Sequence, residues 1–449
     1  MRILALSLMG LALVACGCQP GQSIVGGSIQ DNSAQRSSMM QVSHVSQEHE
    51  QLPLASEVIK GQTLKKLTGL DLLPETSFDG PYRALTADQC KCRAAQASSM
   101  GNQLEQEAAS APTHGRKGDL RQSLLSNSSL EARNKDAATA LELFYRLAEA
   151  EARWALLAGS IDQVGKANAH GQKLKKQGLP LPPDVDQFTK QDFDLKSDRV
   201  RLEVGIEKFN RNLARRIEVA GVPEEERLWP VGDFAVPAES VDLAAAVALG
   251  MAHRPELQFL RQASEDAGLG NLSELRKALS ASNALLGTSG GPCKKLIAIL
   301  CKDETGNRRQ QLQQLQRQRE REIADDIREA AQDMNAQVRL IAISYARSRH
   351  AAAKLKEAED KQAKGTGSVF EVSSARLTWL KAKDQQVREV IAWHLAQTRL
   401  QEAQGILTQG CDPHADLLSC FPPALSSPQE FPPMETRTLP QYRRTYTGQ

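Results

Sequence analysis

Gly365-Thr366-Gly367-Ser368-Val369-Phe370-Glu371-Val372 decides how the chain around it folds, because it is a glycine-bearing turn set between two long helical runs. Ahead of it, residues 309–364 place Leu312, Leu315, Ile323, Ile327, Ala330, Met334, Val338, Ile341 and Tyr345 on one helical stripe. At 1.5 Å per residue this helix approaches about 80 Å. Behind it, a second helix of about forty residues runs to Gly405. Glycine closes one helix and serine opens the next, which makes an antiparallel helical hairpin.

The same arrangement occurs earlier. Residues 131–176 carry Ala137, Ala140, Leu141, Phe144, Leu147, Ala148, Ala152, Ala155 and Leu156 in steps of three and four, a helix of about 70 Å. Gly178-Leu179-Pro180-Leu181-Pro182-Pro183-Asp184-Val185 then turns the chain into a helix ending near Gly221. Two matching halves indicate an internal duplication. Helices of this length exceed ordinary globular ones and point to a coiled-coil or helical-barrel element. One chain cannot bury such stripes on both sides, so oligomerisation is expected; an intramolecular helical bundle is the alternative.

Between the halves, Val241-Asp242-Leu243-Ala244-Ala245-Ala246-Val247-Ala248-Leu249 runs into His253-Arg254-Pro255-Glu256-Leu257. Here the chain resembles the TolC-type outer-membrane efflux family, whose halves open with an alanine-rich helix often followed by an RPEL-like sequence. Tyr82-Arg83-Ala84-Leu85-Thr86 is a weaker counterpart in the first half. The family also places a Gly-x-x-Ser-x-x-x-Val-like turn at each hairpin tip; residues 365–372 are similar to it, and residues 178–185 are a proline-rich version. The resemblance covers roughly residues 80–410. It implies a homotrimer forming a hollow α-helical cylinder for solute export. It also implies tips that dock a periplasmic adaptor (membrane-fusion) protein and an inner-membrane pump. The docking residues so implied are Gly178, Pro180, Asp184 and Asp186 in the first tip, and Gly365, Thr366, Gly367, Ser368 and Glu371 in the second.

One departure bears on mechanism. Family members interrupt each half with a β-hairpin, and the pooled strands close a membrane barrel, since an open edge cannot exist in lipid. Such strands need about nine to eleven residues of alternating pattern. Residues 110–130 are polar without that alternation, and residues 287–308 offer only Leu296-Ile297-Ala298-Ile299-Leu300. The expected fold class is therefore mainly α: duplicated long antiparallel helical hairpins of a TolC-like α-barrel protomer, with β-barrel strands absent or much reduced.

The chain ends supply a location. Arg2 precedes an apolar run over residues 3–15 that is too short for a mature spanning helix and reads as an export signal. Leu13-Val14-Ala15-Cys16 resembles the lipobox of bacterial lipoproteins, which implies cleavage before Cys16 and a lipid on its thiol; an ordinary signal peptide containing a cysteine is the alternative. Gly17 and Cys18 follow, without the aspartate of inner-membrane retention, which points to the outer membrane with the body in the periplasm. Removing Arg2 with the signal takes the formal charge from +2 to +1, a balance that argues against a nucleic-acid binder. Aromatics are only 4% of the chain, and helix-forming residues dominate it. The expected divisions are a signal peptide (1–15), a flexible lipid-anchored tether (16–80), a first hairpin repeat (81–221), a linker (222–240), a second repeat (241–410) and a proline-rich tail (411–449).

Cys90 and Cys92 lie two apart on a helix, so their side chains diverge and do not pair. Cys293 with Cys301, and Cys411 with Cys420, sit in expected loops and are candidates for local disulfides, against free or differently paired thiols. No CxxC pair or spaced histidine cluster marks a metal site, so no metal or cofactor is expected. Gly365-Thr366-Gly367-Ser368 follows a helix instead of a strand and lacks the phosphate-loop lysine. Without HExxH, GxSxG or a distinctive carboxylate pair, no catalytic residue and no enzyme are expected. His253 and His394 read as ordinary helix residues. The expected function is a TolC-like outer-membrane or periplasmic duct component of a tripartite efflux or secretion system; the alternative is a lipid-anchored structural or scaffolding protein of the cell envelope without channel activity.

Overall fold

A computed structural model describes residues 82–111, 116–180, 185–218, 227–232, 234–237, 239–267, 298–411 and a few positions between 272 and 279. Strand β1 (Tyr82–Leu85) leads into helices α1 (Ala87–Gln96) and α2 (Ser99–Ala109), then α3 (Arg116–Lys176) and α4 (Val185–Arg216). Strand β2 (Arg227–Pro230) opens the second half, followed by α5 (Leu243–His253), α6 (Pro255–Glu265), α7 (Ala298–Ala363) and α8 (Val369–Gln404). The four long helices have 61, 32, 66 and 36 residues. The chain has the mainly α, duplicated-hairpin fold expected from its sequence.

The stripes read from the sequence face inward. On α3, Ala137, Ala140, Leu141, Phe144, Leu147, Ala148, Ala152 and Leu156 are all buried; on α7, so are Leu312, Ile323, Ile327, Ala330, Met334 and Ile341. Small residues let the helices approach, while Phe144 and Trp393, each 1% exposed, fill the space between them. Burying side chains of that size contributes roughly 1.5–3 kcal/mol each. Packing runs from α4 to α3, α3 to α8 and α8 to α7, so the long helices form one layer in that order. The short helices repeat the duplication: α1 and α2 lie along α3, and α5 and α6 lie along α7.

Helix boundaries follow local chemistry. Thr86 and Gln89 form a capping box that starts α1, with each side chain accepting the other residue's backbone N–H. Asp242 caps α5 by accepting from the Ala244 N–H, and Pro255 occupies the first turn of α6, where a missing N–H costs nothing. Three asparagines clamp backbone by donating and accepting at once. Asn210 holds both groups of Leu228 on β2, Asn335 holds both groups of Val241, and Asn134 bridges the Glu402 carbonyl and the Leu407 N–H.

Several expectations change. Residues 116–130, where the first barrel hairpin would lie, continue α3 as helix: Leu120 is buried and Leu124 half-buried against Phe259, Leu260 and Ala263 of α6 and Leu312 of α7. Tyr82–Leu85, read as a counterpart of the alanine-rich helix and RPEL sequence, is a strand paired in parallel with Arg227–Pro230. The two strands have four residues each, too few to cross a bilayer, and they join the openings of the two halves. The helix after the first turn stops at Arg216, short of Gly221. Cys301 belongs to α7 and not to a loop. Cys411 is bonded to Cys92, not to Cys420, because the layer brings the exit of α8 onto α1. Cys16, Asp184, Cys293 and Cys420, as well as most of residues 268–297, lie outside the described residues.

Candidate functional site

Both hairpin turns lie at one end of the layer. α3 ends in a Schellman turn: Gly178, at φ 68°, donates to the Lys175 carbonyl and Leu179 donates to that of Leu174, both at 3.1 Å. α7 ends the same way, with Gly365 at φ 75° donating to Gln362 and Thr366 donating to Lys361. The Thr366 hydroxyl and the Gly367 N–H add two further bonds to the Lys361 carbonyl, at 3.1 and 3.0 Å. A Cβ at Gly367 would sit 2.8 Å from the Gln362 nitrogen, so this position requires glycine for close approach and not for its φ. Ser368 and Glu371 then form a capping box, both bonds at 3.1 Å, that starts α8.

Phe370 locks the two tips together. It packs 5.4 Å from the His170 ring on α3 and 6.0 Å from Phe188 on α4, above a cluster containing Val164, Ala167 and Leu377. Pro180, Asp186, Gly365, Thr366, Ser368 and Glu371 remain exposed around this plug, and Gly367 is half-buried. Lys173, Lys175 and Lys176 close α3 and complement its carbonyl end. On α7, hydrogen bonds from Lys361 and then Lys354 hold the Glu357 carboxyl down to about 2, and Glu357 in return raises the Lys361 ammonium. Arg376 reaches Glu359 at 3.4 Å across the second hairpin. The tip is thus a polar rim of turn residues and paired charges around an apolar plug. The sequence reading named the turn residues but assigned no role to Phe370 or Phe188. The available signal was an aromatic in the first turn of each helix that follows a glycine turn.

The opposite end is a junction of both halves. α8 stops at Gly405, at φ 74°, where a Cβ would lie 3.3 Å from Pro255 Cδ and 3.4 Å from Arg254 Cα. The Arg254-Pro255 elbow therefore seats the end of the last helix. Gln404 donates to the Ala246 carbonyl at 3.1 Å, and Gln409 Nε2 meets His253 Nδ1 at 2.9 Å. Beside Cys92–Cys411 lies a cavity of about 260 Å³ lined by Ala95, Ser129, Leu130, Arg133, Thr408 and Cys411.

Midway along the layer, Arg227 pairs with Glu151, whose carboxyl is pushed up to about 7 by burial, a shift that Arg227 opposes. His394 is buried among Tyr145, stacked at 4.9 Å, Trp393 and Phe234, a packing position. Among the described residues no group of three or more His, Cys, Asp or Glu side chains could hold a metal ion, and no helix is long and apolar enough to cross a membrane.

No protein-family model matches the sequence, and none of the curated protein sequences does. Solved structures match its fold. The CmeC outer membrane channel of Campylobacter jejuni aligns with a TM-score of 0.50 at 10% identity, covering 68% of this chain and 69% of that one. The outer membrane protein VceC of Vibrio cholerae aligns at 0.48 and 14% identity over 64% and 74% of the two chains. CusC aligns at 0.49 and 15% over 71% and 95%. At these identities the likeness is one of fold.

Proposed function

We propose that copies of this chain close side by side into a hollow helical cylinder that conducts solutes through the periplasm as the TolC-like component of a tripartite efflux or secretion system. The observation that carries this reading is the open layer of long helices, whose outer members, α4 and α7, each expose an apolar stripe. On α4 these are Phe193, Val200 and Val204, at 67%, 60% and 60% exposure; on α7 they are Leu340 and Ile343, at 42% and 47%. Val204 and Ile343 each lie roughly 30 Å along their helices from the tip ends at Val185 and Ala363. Farther from the tips, Arg215 on the α4 stripe and Asp333 on the α7 stripe are level at roughly 45 Å. Two different, complementary edges give a heterologous contact, which closes into a ring when the rotation permits. Three copies match the TolC-type resemblance.

In this arrangement the rim at Gly178, Pro180, Asp186, Gly365, Thr366, Gly367, Ser368 and Glu371 faces a periplasmic adaptor protein and, through it, an inner-membrane pump. Asp184 belongs to the same turn by sequence. Cys16, once lipidated, tethers the cylinder to the outer membrane through residues 16–80, and helix takes the place of the first barrel hairpin. Val204→Asp and Leu340→Asp should each dissociate the purified oligomer, with helical content unchanged, and lower export at least tenfold. A soluble form that stays monomeric at high concentration, or an oligomer untouched by both substitutions, would overturn the cylinder in favour of a lipid-anchored scaffold.

A further inference from the structure

We infer that the Cys92–Cys411 disulfide is a redox-sensitive latch: closed, it holds the exit of the last long helix over the cavity beside α1, and reduction frees that exit without opening the core. This does not depend on the duct reading, since it concerns one chain.

Four observations carry it. The bond joins cysteines 319 residues apart, one in α1 and one just beyond α8, so it spans both halves of the layer. Both cysteines are half-buried and not sealed in the core, and Cys411 lines the cavity, the route by which a small thiol would reach the bond. The two anchors differ in how else they are held. The α1 side is fixed independently, because Arg133 donates to the Ala95 carbonyl at 3.2 Å and to Asn102 at 2.8 Å and also pairs with Glu105. On the exit side, buried Leu407 is held by Asn134, but beyond it the side-chain hydrogen bond to another element is the exposed one between Gln409 and His253. The neighbouring thiol, Cys90, is silent: it is fully buried, and burial pushes it well above the ordinary thiol range. Cys90 therefore does not compete for either cysteine when the bond opens.

The reaction is a two-electron thiol–disulfide exchange with a dithiol. One thiolate of the reductant attacks Cys411 Sγ and breaks its bond to Cys92 Sγ, which leaves as a thiolate and takes a proton. The second thiol of the reductant then displaces Cys411 as a free thiol, and the reductant departs as its own disulfide. What moves is the exit segment 408–411, and the cavity that Thr408 and Cys411 line widens.

The test uses the folded full-length chain and dithiothreitol under native conditions, followed by alkylation, peptide mapping by mass spectrometry and limited subtilisin digestion. Cys92 and Cys411 should alkylate while Cys90 does not. Cleavage between residues 408 and 411 should rise at least tenfold with the helical circular-dichroism signal unchanged, and oxidised glutathione should restore protection. Cys411→Ser should show the same cleavage without reductant. Three results would overturn the latch: Cys411 mapping to a partner other than Cys92, Cys90 labelling in step with the other two, or an exit equally protected after reduction, which makes the bond a passive staple.

Discussion

At the scale of single residues, the tip depends on two glycines used for different reasons. Gly365 supplies a left-handed conformation, and an alanine there costs about 1–2 kcal/mol. Gly367 supplies room, and a valine would drive a branched side chain into the Lys361–Gln362 backbone. Gly365→Ala should therefore speed amide exchange in residues 361–368 modestly, and Gly367→Val much more, with both variants still folded. In the duct reading, Gly367→Val should also abolish adaptor crosslinking; unchanged crosslinking would count against the tip as the docking surface. Glu151 gives a different kind of residue effect. Its folded carboxyl titrates near 7 because of burial, above its ordinary value near 4.5, so the folded state binds the proton more tightly than the unfolded one. The stability this confers is complete below about 4.5 and is lost as pH rises through about 7. Urea midpoints measured at pH 5 and pH 8 should differ more for the wild type than for Glu151→Gln.

Among elements, the tips act as one unit because α8 places Phe370 between α3 and α4. Phe370→Ala removes a buried ring and should cost about 3–5 kcal/mol. Differential exchange should then show the two hairpin ends loosening together while the Gly405 junction stays protected; loss of protection at both ends would mean that the plug is not local. Much of this level was legible in the sequence. The stripes on α3 and α7 repeat for many turns, and a face buried along its whole length leaves a periodic record. The start of α3 was not legible, since residues 116–130 are mostly polar and its described apolar contacts with the α6 cluster come from Leu120 and Leu124. Nor was the partner of Cys411, because the layer order and not the spacing brings residues 92 and 411 together. The asparagine clamps escaped for the same reason: a lone Asn on a helix has no sequence partner when it binds main chain.

For the whole molecule, the proposed ring edges and the proposed lipid anchor at Cys16 make separable predictions. Cys16→Ser should release the protein from membranes into the soluble periplasmic fraction while leaving its oligomeric state intact. Retention of that variant with normal export would mean that another segment inserts in the membrane. The asparagine clamps also bear on how the molecule changes over time. Asn134, Asn210 and Asn335 grip peptide groups, so the residues at 228, 241, 402 and 407 can be replaced without loss of those bonds. Joints that ignore side-chain identity leave the letters they grip free to change while the architecture stands still.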